Sequence, residues 1–177
     1  MMSLLHAKTR GQSAVLIAVA LPFLIAFILM VIEVSERWLE VAMVEDALQQ
    51  ATRSAVQTFD YPALARGTGG MGVATSCVGV TTSSAGECRA VIAIADRLLR
   101  TNLTGVRGLD EPITTLADRV RWTVWPNGGT CQYSTGQAQT ETTPLICAEV
   151  RPQMRGLVGW GNFTPLITAA DTLDTTQ

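Results

Sequence analysis

The strongest constraint on this chain is an uncharged run of twenty residues, SAVLIAVALPFLIAFILMVI, from Ser13 to Ile32. At about 1.5 Å per residue, a helix of this length crosses the hydrocarbon core of a bilayer, which is about 30 Å thick. A core helix is rarely apolar on all sides over such a length, and the apolar part of a signal peptide is shorter, about 7–15 residues. No small-residue cleavage site follows, because the next residues are Glu33 to Trp38. The run therefore predicts a retained transmembrane helix, bent at Pro22, where one backbone donor is missing.

The charges on either side of this run predict its orientation. Lys8 and Arg10 precede the run, whereas Glu33, Glu36 and Glu40 follow it. Basic residues stay on the cytoplasmic side of a membrane. We therefore expect residues 1–12 in the cytoplasm, residues 13–32 in the membrane and residues 33–177 outside, as one exported domain.

The four cysteines all lie in the part that is predicted to be exported: Cys77, Cys88, Cys131 and Cys147. An even number of cysteines in an oxidising compartment indicates two disulfides, for which three pairings are possible. We favour the two pairs of sequence neighbours, Cys77–Cys88 and Cys131–Cys147. A zinc site is disfavoured, because no two cysteines have the close C-x-x-C spacing of zinc ligands.

The helical pattern continues beyond the apolar run, over residues 33–60. Apolar residues recur there at steps of three and four, which is typical of one face of a helix. These residues are Val34, Trp38, Val41, Val44, Leu48, Ala51, Ala55 and Phe59. We expect this face to pack on the protein's own small sheet instead of forming a coiled coil with a partner. Tyr61 and Pro62 are expected to end the helix.

Five positions along the long helix are candidates for packing against other helices: Ala14, Ala18, Pro22, Ala26 and Trp38. Small residues let membrane helices approach each other closely. Trp38 follows the apolar run by a turn and a half, which is typical of the aromatic belt at a membrane interface.

The remainder of the chain predicts a small α+β domain. A Gly-, Ser- and Thr-rich loop is expected over residues 65–86, and a second helix from Glu87 to about Leu103 with an apolar side of Val91, Ile94, Ala95, Leu98 and Leu99. Alternating or apolar segments predict strands at residues 119–125, 144–150 and 165–173, with a polar loop at 133–143. We expect a sheet of three or four mostly antiparallel strands, covered on one face by the two helices.

The residues needed for catalysis are scarce. His6 is the only histidine and lies before the apolar run, and Lys8 is the only lysine. The adjacent acids Asp110 and Glu111 are expected to be solvated. With a net charge of −2 and no phosphate-binding or nucleophile motif, the chain predicts neither an enzyme nor a nucleic-acid binder. We expect no cofactor, metal or small-molecule substrate.

Two stretches resemble a known family: Arg10 to Pro22 (RGQSAVLIAVALP) and Ala47 to Thr52 (ALQQAT), with Glu33 between them. They are similar to the TadE/TadG-like proteins, pseudopilin-like membrane proteins of bacterial tight-adherence (Tad or Flp) pilus systems. The resemblance implies an anchor helix that leads into a small exported α+β domain with a strand near its C-terminus. Processed pseudopilins have a glutamate five residues after the glycine at the cleavage point, whereas Leu16 stands five residues after Gly11. An uncleaved, TadG-type anchor is therefore the closer match.

The resemblance implies a non-catalytic structural protein of a pilus or its assembly machinery, held in the bacterial cytoplasmic membrane. The alternative is an accessory subunit that stabilises a large respiratory or photosynthetic complex through the same helix and domain. Both hypotheses require other membrane proteins as partners.

Overall fold

The computed structural model describes residues 5–57, 73, 75–156 and 161–173, with side chains from residue 14 onward. Within these residues the chain is α+β, with a long N-terminal apolar helix, a second helix and small antiparallel sheets. The helices are α1 (Leu5–Val56), α2 (Arg89–Leu103) and α3 (Ile113–Asp118), and two short 3-10 turns precede α2 at Thr82–Ser84 and Gly86–Cys88. The strands are β1 (Cys77–Val80), β2 (Arg121–Trp125), β3 (Gly129–Gln132), β4 (Ala138–Glu141), β5 (Leu145–Val150), β6 (Met154–Arg155), β7 (Asn162–Phe163) and β8 (Ile167–Thr172).

Helix α1 is continuous over 52 residues and contains Pro22. At about 1.5 Å per residue it is about 78 Å long. Its first half, from Ala14 to Ile32, is exposed on every side, and among the described residues it is the one helix that is long and apolar enough to cross a membrane. The helix ends at Val56, and the predicted continuation to residue 60, with Tyr61 and Pro62 as its end, lies outside the described residues.

The second half of α1 forms the centre of the core. Its buried face lies against α2 and against one side of a four-stranded antiparallel sheet with the order β1-β2-β5-β8. This face comprises Val44, Ala47, Leu48, Ala51, Ala55 and Val56. The expectation that this stretch packs on the protein's own sheet is met from Val44 onward. At Val34 and Trp38 it is wrong, because both side chains are exposed.

Alternation along the strands explains which residues meet the helices. In β2, Trp122 and Val124 point to the core, and in β5 the core side is formed by Ile146, Ala148 and Val150. Register is fixed by five residue pairs between β2 and β5 and six between β5 and β8. The predicted strands at 119–125, 144–150 and 165–173 are thus present, each shortened by one to three residues.

Several elements were not predicted. Strand β1 lies inside the predicted loop 65–86, β4 lies inside the predicted polar loop 133–143 and its partner β3 lies just before that loop, and α3 has no counterpart in the prediction. Each of these strands has only four residues: β1 is interrupted by Gly79, and β3 and β4 consist mainly of polar residues and glycine, so the local apolar pattern is weak. Pairing with other strands stabilises them. Strand β1 pairs with β2, and β3 and β4 are joined by a hydroxyl hydrogen bond of 2.9 Å between Thr130 and Thr140.

Helix α2 begins two residues later than predicted, after a 3-10 turn. Its buried side chains are Val91, Ile92, Ala95, Leu99 and Leu103. The predicted members Ile94 and Leu98 are only half-buried, because the stripe that faces α1 is rotated toward Ile92.

Both disulfides have the favoured pairing, in which each cysteine bonds to the next cysteine along the chain. Cys77 bonds to Cys88 with Cα atoms 6.4 Å apart, and Cys131 bonds to Cys147 with Cα atoms 6.3 Å apart. The first ties β1 to the start of α2. The second ties the β3–β4 hairpin to the face of the sheet that points away from the helices, where Leu145 and Trp125 complete a second, smaller apolar cluster.

The Cys131–Cys147 bond closes a loop with a sequence separation of 16. Replacing both cysteines by serine is expected to lower the free energy of unfolding by about 3 kcal/mol, because the unfolded chain regains the freedom of that loop. Urea unfolding of the detergent-solubilised chain measures this, and a second double variant, C77S/C88S, provides the comparison. A reductant should lower the free energy of unfolding of the wild type by breaking both disulfides. In C131S/C147S it should lower it only by breaking Cys77–Cys88. Equal unfolding midpoints for wild type and C131S/C147S would contradict a stabilising bond.

Asp171 lies near the end of β8 on the side of the sheet that carries Ile167 and Ala169, close to Arg53 of α1. Burial raises the pKa of this carboxyl, although a hydrogen bond from the Thr172 backbone and the charge of Arg53 act in the opposite direction. Because the folded pKa is above the unfolded value of about 3.9, the folded state favours the protonated form. Ionised Asp171 therefore reduces stability at neutral pH.

Asp171→Asn is expected to raise the melting temperature at pH 7. The gain should shrink as the pH falls through the folded pKa of Asp171 and vanish below about pH 3.9, where the wild-type carboxyl is protonated in both states. Asp118→Asn is the control, because Asp118 is exposed and pairs with Arg100, so its loss is expected to cost at most about 1 kcal/mol. A gain from D171N that does not vary with pH would contradict this account.

Candidate functional site: the apolar helix and its collar

The candidate surface begins with the exposed segment of α1, Ala14–Ile32. Four of the predicted helix-packing residues, Ala14, Ala18, Pro22 and Ala26, recur every fourth position and form one row along this segment, and all four are exposed. Trp38 does not belong to the row. At about 100° per residue it lies about 120° around the helix from Ala26.

The part of α1 that is exposed on every side ends at Ile32. The exposed fraction falls from 42% at Ile32 to 1% at Glu33. Here the α+β domain begins to surround α1, through the loop before α3 and the strands β6 and β7. We call this contact region the collar and define it by Glu33, Arg37, Glu40, Gly108, Gly156 and Phe163.

An ion pair is the centre of the collar. The Arg37 Nε donates to Glu33 Oε1 at 2.7 Å, one helical turn apart. The guanidinium also lies over the Phe163 ring, with 4.8 Å from Cζ to the ring centroid, and Arg37 Nη2 donates to the Gly161 carbonyl at 3.4 Å. Arg37 therefore compensates the buried Glu33 charge and connects α1 to the β6–β7 pair.

Two glycines allow the collar to approach α1 closely. A Cβ at Gly108 would lie 2.9 Å from Cγ of Glu40, and a Cβ at Gly156 would overlap the Glu33 carboxylate and come within 2.7 Å of Arg37 Nη2. The two segments that carry these glycines are joined to each other by backbone bonds of 2.8 Å, from Arg155 to Gly108 and from Asp110 to Gln153. The collar is thus a paired backbone structure that brings Gly156 directly against the Glu33 carboxylate.

The acidic pair Asp110–Glu111, expected to be solvated, is held by contacts with β6, β7 and Arg119. The Glu111 side chain is only 6% exposed, pairs with Arg119 at 2.5 Å and accepts the backbone N–H of Gln153 at 2.7 Å. Asp110 accepts from Asn162 and pairs with Arg155 at 3.4 Å. The expectation is wrong for Glu111, because its carboxylate closes the loop before α3 onto the strand pair.

Two cavities lie next to these elements. A cleft of about 350 Å³ beside the collar is lined by Glu36, Arg37, Glu40, Arg107 and Arg155, with charges of both signs. A second, of about 230 Å³, lies on the outer face of the sheet next to Tyr133 and Glu149. Burial and the Glu149 charge raise the pKa of Tyr133, so its phenol stays protonated at neutral pH and donates to the Ala169 carbonyl at 3.5 Å. In the described part of the chain, no three His, Cys, Asp or Glu side chains lie close enough to share a metal ion.

No protein-family model, no curated protein and no solved structure matches this chain significantly.

Sequence reasoning missed the burial of Glu33, although a signal for it exists. Glu33 lies eleven residues before Val44, which is three helical turns, so both fall on the buried face of α1. Arg37 follows Glu33 by four residues, the spacing at which opposite charges pair on a helix. Together these spacings place Glu33 inside the domain, paired with Arg37, instead of among the solvated charges that flank the apolar run.

Arg37→Ala is expected to lower the free energy of unfolding by about 1–3 kcal/mol, because it removes an ion-pair partner of the buried Glu33 carboxylate and the contact with Phe163. The amides of Asp110 and Arg155, which hydrogen-bond across the collar, should exchange faster with solvent. Arg155→Ala is the matched control: Arg155 is 64% exposed and its pair with Asp110 is long, so it should cost less than about 1 kcal/mol. Equal effects of the two substitutions would show that the Glu33–Arg37 pair does not hold the collar.

Proposed function

We propose that this chain is a non-catalytic structural protein anchored in a membrane by α1, a TadE/TadG-like component of a Tad/Flp-type pilus or of its assembly machinery. The observation that supports this most is the continuity of α1. One helix is exposed on every side and apolar from Ala14 to Ile32, and from Val44 to Val56 one face of it is buried in an α+β core. This is the arrangement that the family resemblance implies.

The environment of the exposed segment favours an anchor over its alternatives. A core helix of similar composition would be buried, whereas no part of this apolar window is. A cleaved signal peptide would separate from the domain, whereas here the helix passes without interruption from the apolar segment into the collar at Glu33 and the core. Nineteen exposed residues from Ala14 to Ile32 measure about 28 Å, which matches the hydrocarbon thickness of about 30 Å.

The two stretches that carry the family resemblance have different positions in this arrangement. Ala14 to Pro22 of the first stretch lies on the exposed segment. In the second, Ala47, Leu48, Ala51 and Thr52 are buried while Gln49 and Gln50 are exposed. The first stretch therefore supports anchoring and helix contacts, and the second supports the folding of the domain around α1.

A structural role requires a surface for partners, and the small-residue row supplies one. Ala14, Ala18 and Ala26 leave space for the backbone of a second membrane helix, and close packing of this kind drives helix association in lipid. The N-terminus is expected in the cytoplasm and the α+β domain outside a bacterial cytoplasmic membrane, since Lys8 and Arg10 precede the span. The two disulfides are consistent with an oxidising compartment.

The test is purification of the full chain from native membranes in mild detergent, followed by mass spectrometry of the retained proteins. Pilins, a secretion ATPase or its platform proteins in the sample are the expected result. Stoichiometric recovery with a pigment- or haem-bearing complex would instead identify an accessory subunit. Recovery of the chain in the soluble fraction would contradict anchoring itself.

Two matched substitutions test the helix contact. Ala18→Phe fills the small-residue row, whereas Ala20→Phe adds the same bulk at an exposed position about 160° around the helix from Ala18. Both keep the span apolar, so both variants should insert into the membrane equally well. The proposal expects partner recovery to fall for A18F and to persist for A20F. Unchanged recovery for both variants would exclude the row as the contact surface.

A further inference from the structure

The exposed surface of α1 stays uncharged well beyond Ile32. Every charged side chain between Ile32 and Val44 is turned at least partly into the domain: Glu33, Glu36, Arg37 and Glu40. The exposed residues of the same stretch are Val34, Ser35, Trp38, Leu39, Ala42 and Met43. The hydroxyl of Ser35 donates to the Val31 carbonyl at 2.8 Å. The first charged residue on the exposed side is Glu45.

These exposed residues, which we call the apolar stripe (Val34, Trp38, Leu39, Ala42 and Met43), lie on one side of the helix. Trp38 is 75% exposed and Leu39 is 61% exposed. A shallow groove of about 220 Å³ lined by Trp38, Val41, Phe163 and Arg37 adjoins the stripe, and most of its exposed surface is apolar. Because the stripe begins at Val34, two residues after Ile32, its apolar surface continues that of the exposed segment.

The dimensions agree with a membrane interface. Ala14 to Met43 measures about 45 Å along the helix, and a bilayer with its headgroup layers is about 40–45 Å thick. Trp38 and Leu39 lie about 9–10 Å beyond Ile32, whereas one interfacial layer is about 5–8 Å thick. A helix tilt of about 20°, the average for membrane helices, brings the side that leans toward the membrane about 2 Å closer. Trp38 and Leu39 then reach the interfacial layer if α1 leans toward the stripe.

The side chains of the stripe also distinguish lipid from a helix partner. Helix contacts in membranes favour small residues, which here form the row of Ala14, Ala18 and Ala26, about 120–160° around the helix from Trp38. The stripe instead presents a tryptophan and a leucine. A tryptophan with an exposed ring is characteristic of the headgroup level of a bilayer, where its apolar face and its N–H both find partners.

We propose that the apolar stripe contacts the interfacial layer of the phospholipid leaflet next to Ile32, and that α1 leans toward this side. The contact gives the α+β domain one defined rotation about the helix axis relative to the membrane. This inference rests on the proposed anchoring by α1. It adds a lipid-facing surface that belongs to the folded domain and includes the Phe163 groove.

The test uses the full chain, with one added cysteine per variant, spin-labelled and reconstituted in phosphatidylcholine vesicles. The sites are Phe23 in the middle of the span, Trp38 and Leu39 in the stripe, and Gln49, an exposed polar residue on the same side, about three turns beyond Trp38. Electron paramagnetic resonance measures how often each label collides with oxygen, which concentrates in lipid, and with a water-soluble nickel chelate. The ratio of the oxygen collision rate to the nickel-chelate collision rate is expected to be highest at Phe23. It should be several-fold higher at Trp38 and Leu39 than at Gln49.

Ratios at Trp38 and Leu39 equal to that at Gln49 would overturn the inference while leaving the anchor intact. Labels there that are immobilised and shielded from both reagents would overturn it in favour of a second copy or another helix. A collision ratio at Phe23 as low as that at Gln49 would instead refute the anchoring on which the inference rests.

A second measurement avoids replacing Trp38 by a label. Phosphatidylcholine brominated near the headgroup end of its chains should quench part of the tryptophan fluorescence of the wild type, and that part should be absent from Trp38→Phe. The other three tryptophans, Trp122, Trp125 and Trp160, are present in both proteins, so the difference in quenching between them reports on Trp38. Equal quenching of wild type and W38F would place Trp38 away from the lipid.

Discussion

The burial of one face of α1 between α2 and the sheet holds the rest of the structure in place. Leu48, Ala51 and Ala55 on this face have no exposed surface, and α1 makes its most extensive contacts with α2 and β8. Alanines at the contact let the helix axis lie close to its neighbours, so the contact is closely packed. Because the same helix continues into Ala14–Ile32, core packing also fixes the direction in which the apolar segment leaves the domain, with no hinge or linker between the two.

The collar extends this rigid contact to the first residue after the apolar segment. A glutamate at that position on an exposed face would add a charge next to lipid in a membrane-anchored chain. Here Glu33 is turned inward, paired with Arg37 and covered by Gly156. The cost of burying the charge is offset by the Arg37 hydrogen bond and by the packing of the guanidinium on Phe163. The result is a boundary at which one side of the helix is enclosed by the domain while the other stays uncharged.

The parts of the fold that were predicted are those with a strong local pattern. The apolar run, the strand from Arg121 to Trp125 and helix α2 each have a periodicity that depends on no distant contact, and the disulfides join neighbours in sequence. Strands β1, β3 and β4 were missed because Gly79 interrupts the first and polar residues such as Thr130 and Thr140 dominate the other two. Their strand pairing and the disulfides determine that they are strands. The collar was missed for a related reason. Glu33 looks like a solvated flank until its face on the helix is compared with that of Val44, and Glu111 is buried only because β6 and β7 fold back over it.

The two proposed contact surfaces of α1 place compatible demands on the helix. The row of Ala14, Ala18 and Ala26 offers space for a partner helix, while Trp38, about 120–160° around the helix from these alanines, offers bulk suited to a lipid interface. A single lean of α1 can therefore bring the stripe toward lipid without covering the row. Because no hinge separates span from core, a partner that packs on the row would also set the rotation of the α+β domain. In such an anchor, position and orientation of the domain are determined together, which is a useful property for a subunit that must be incorporated into an assembly in one register.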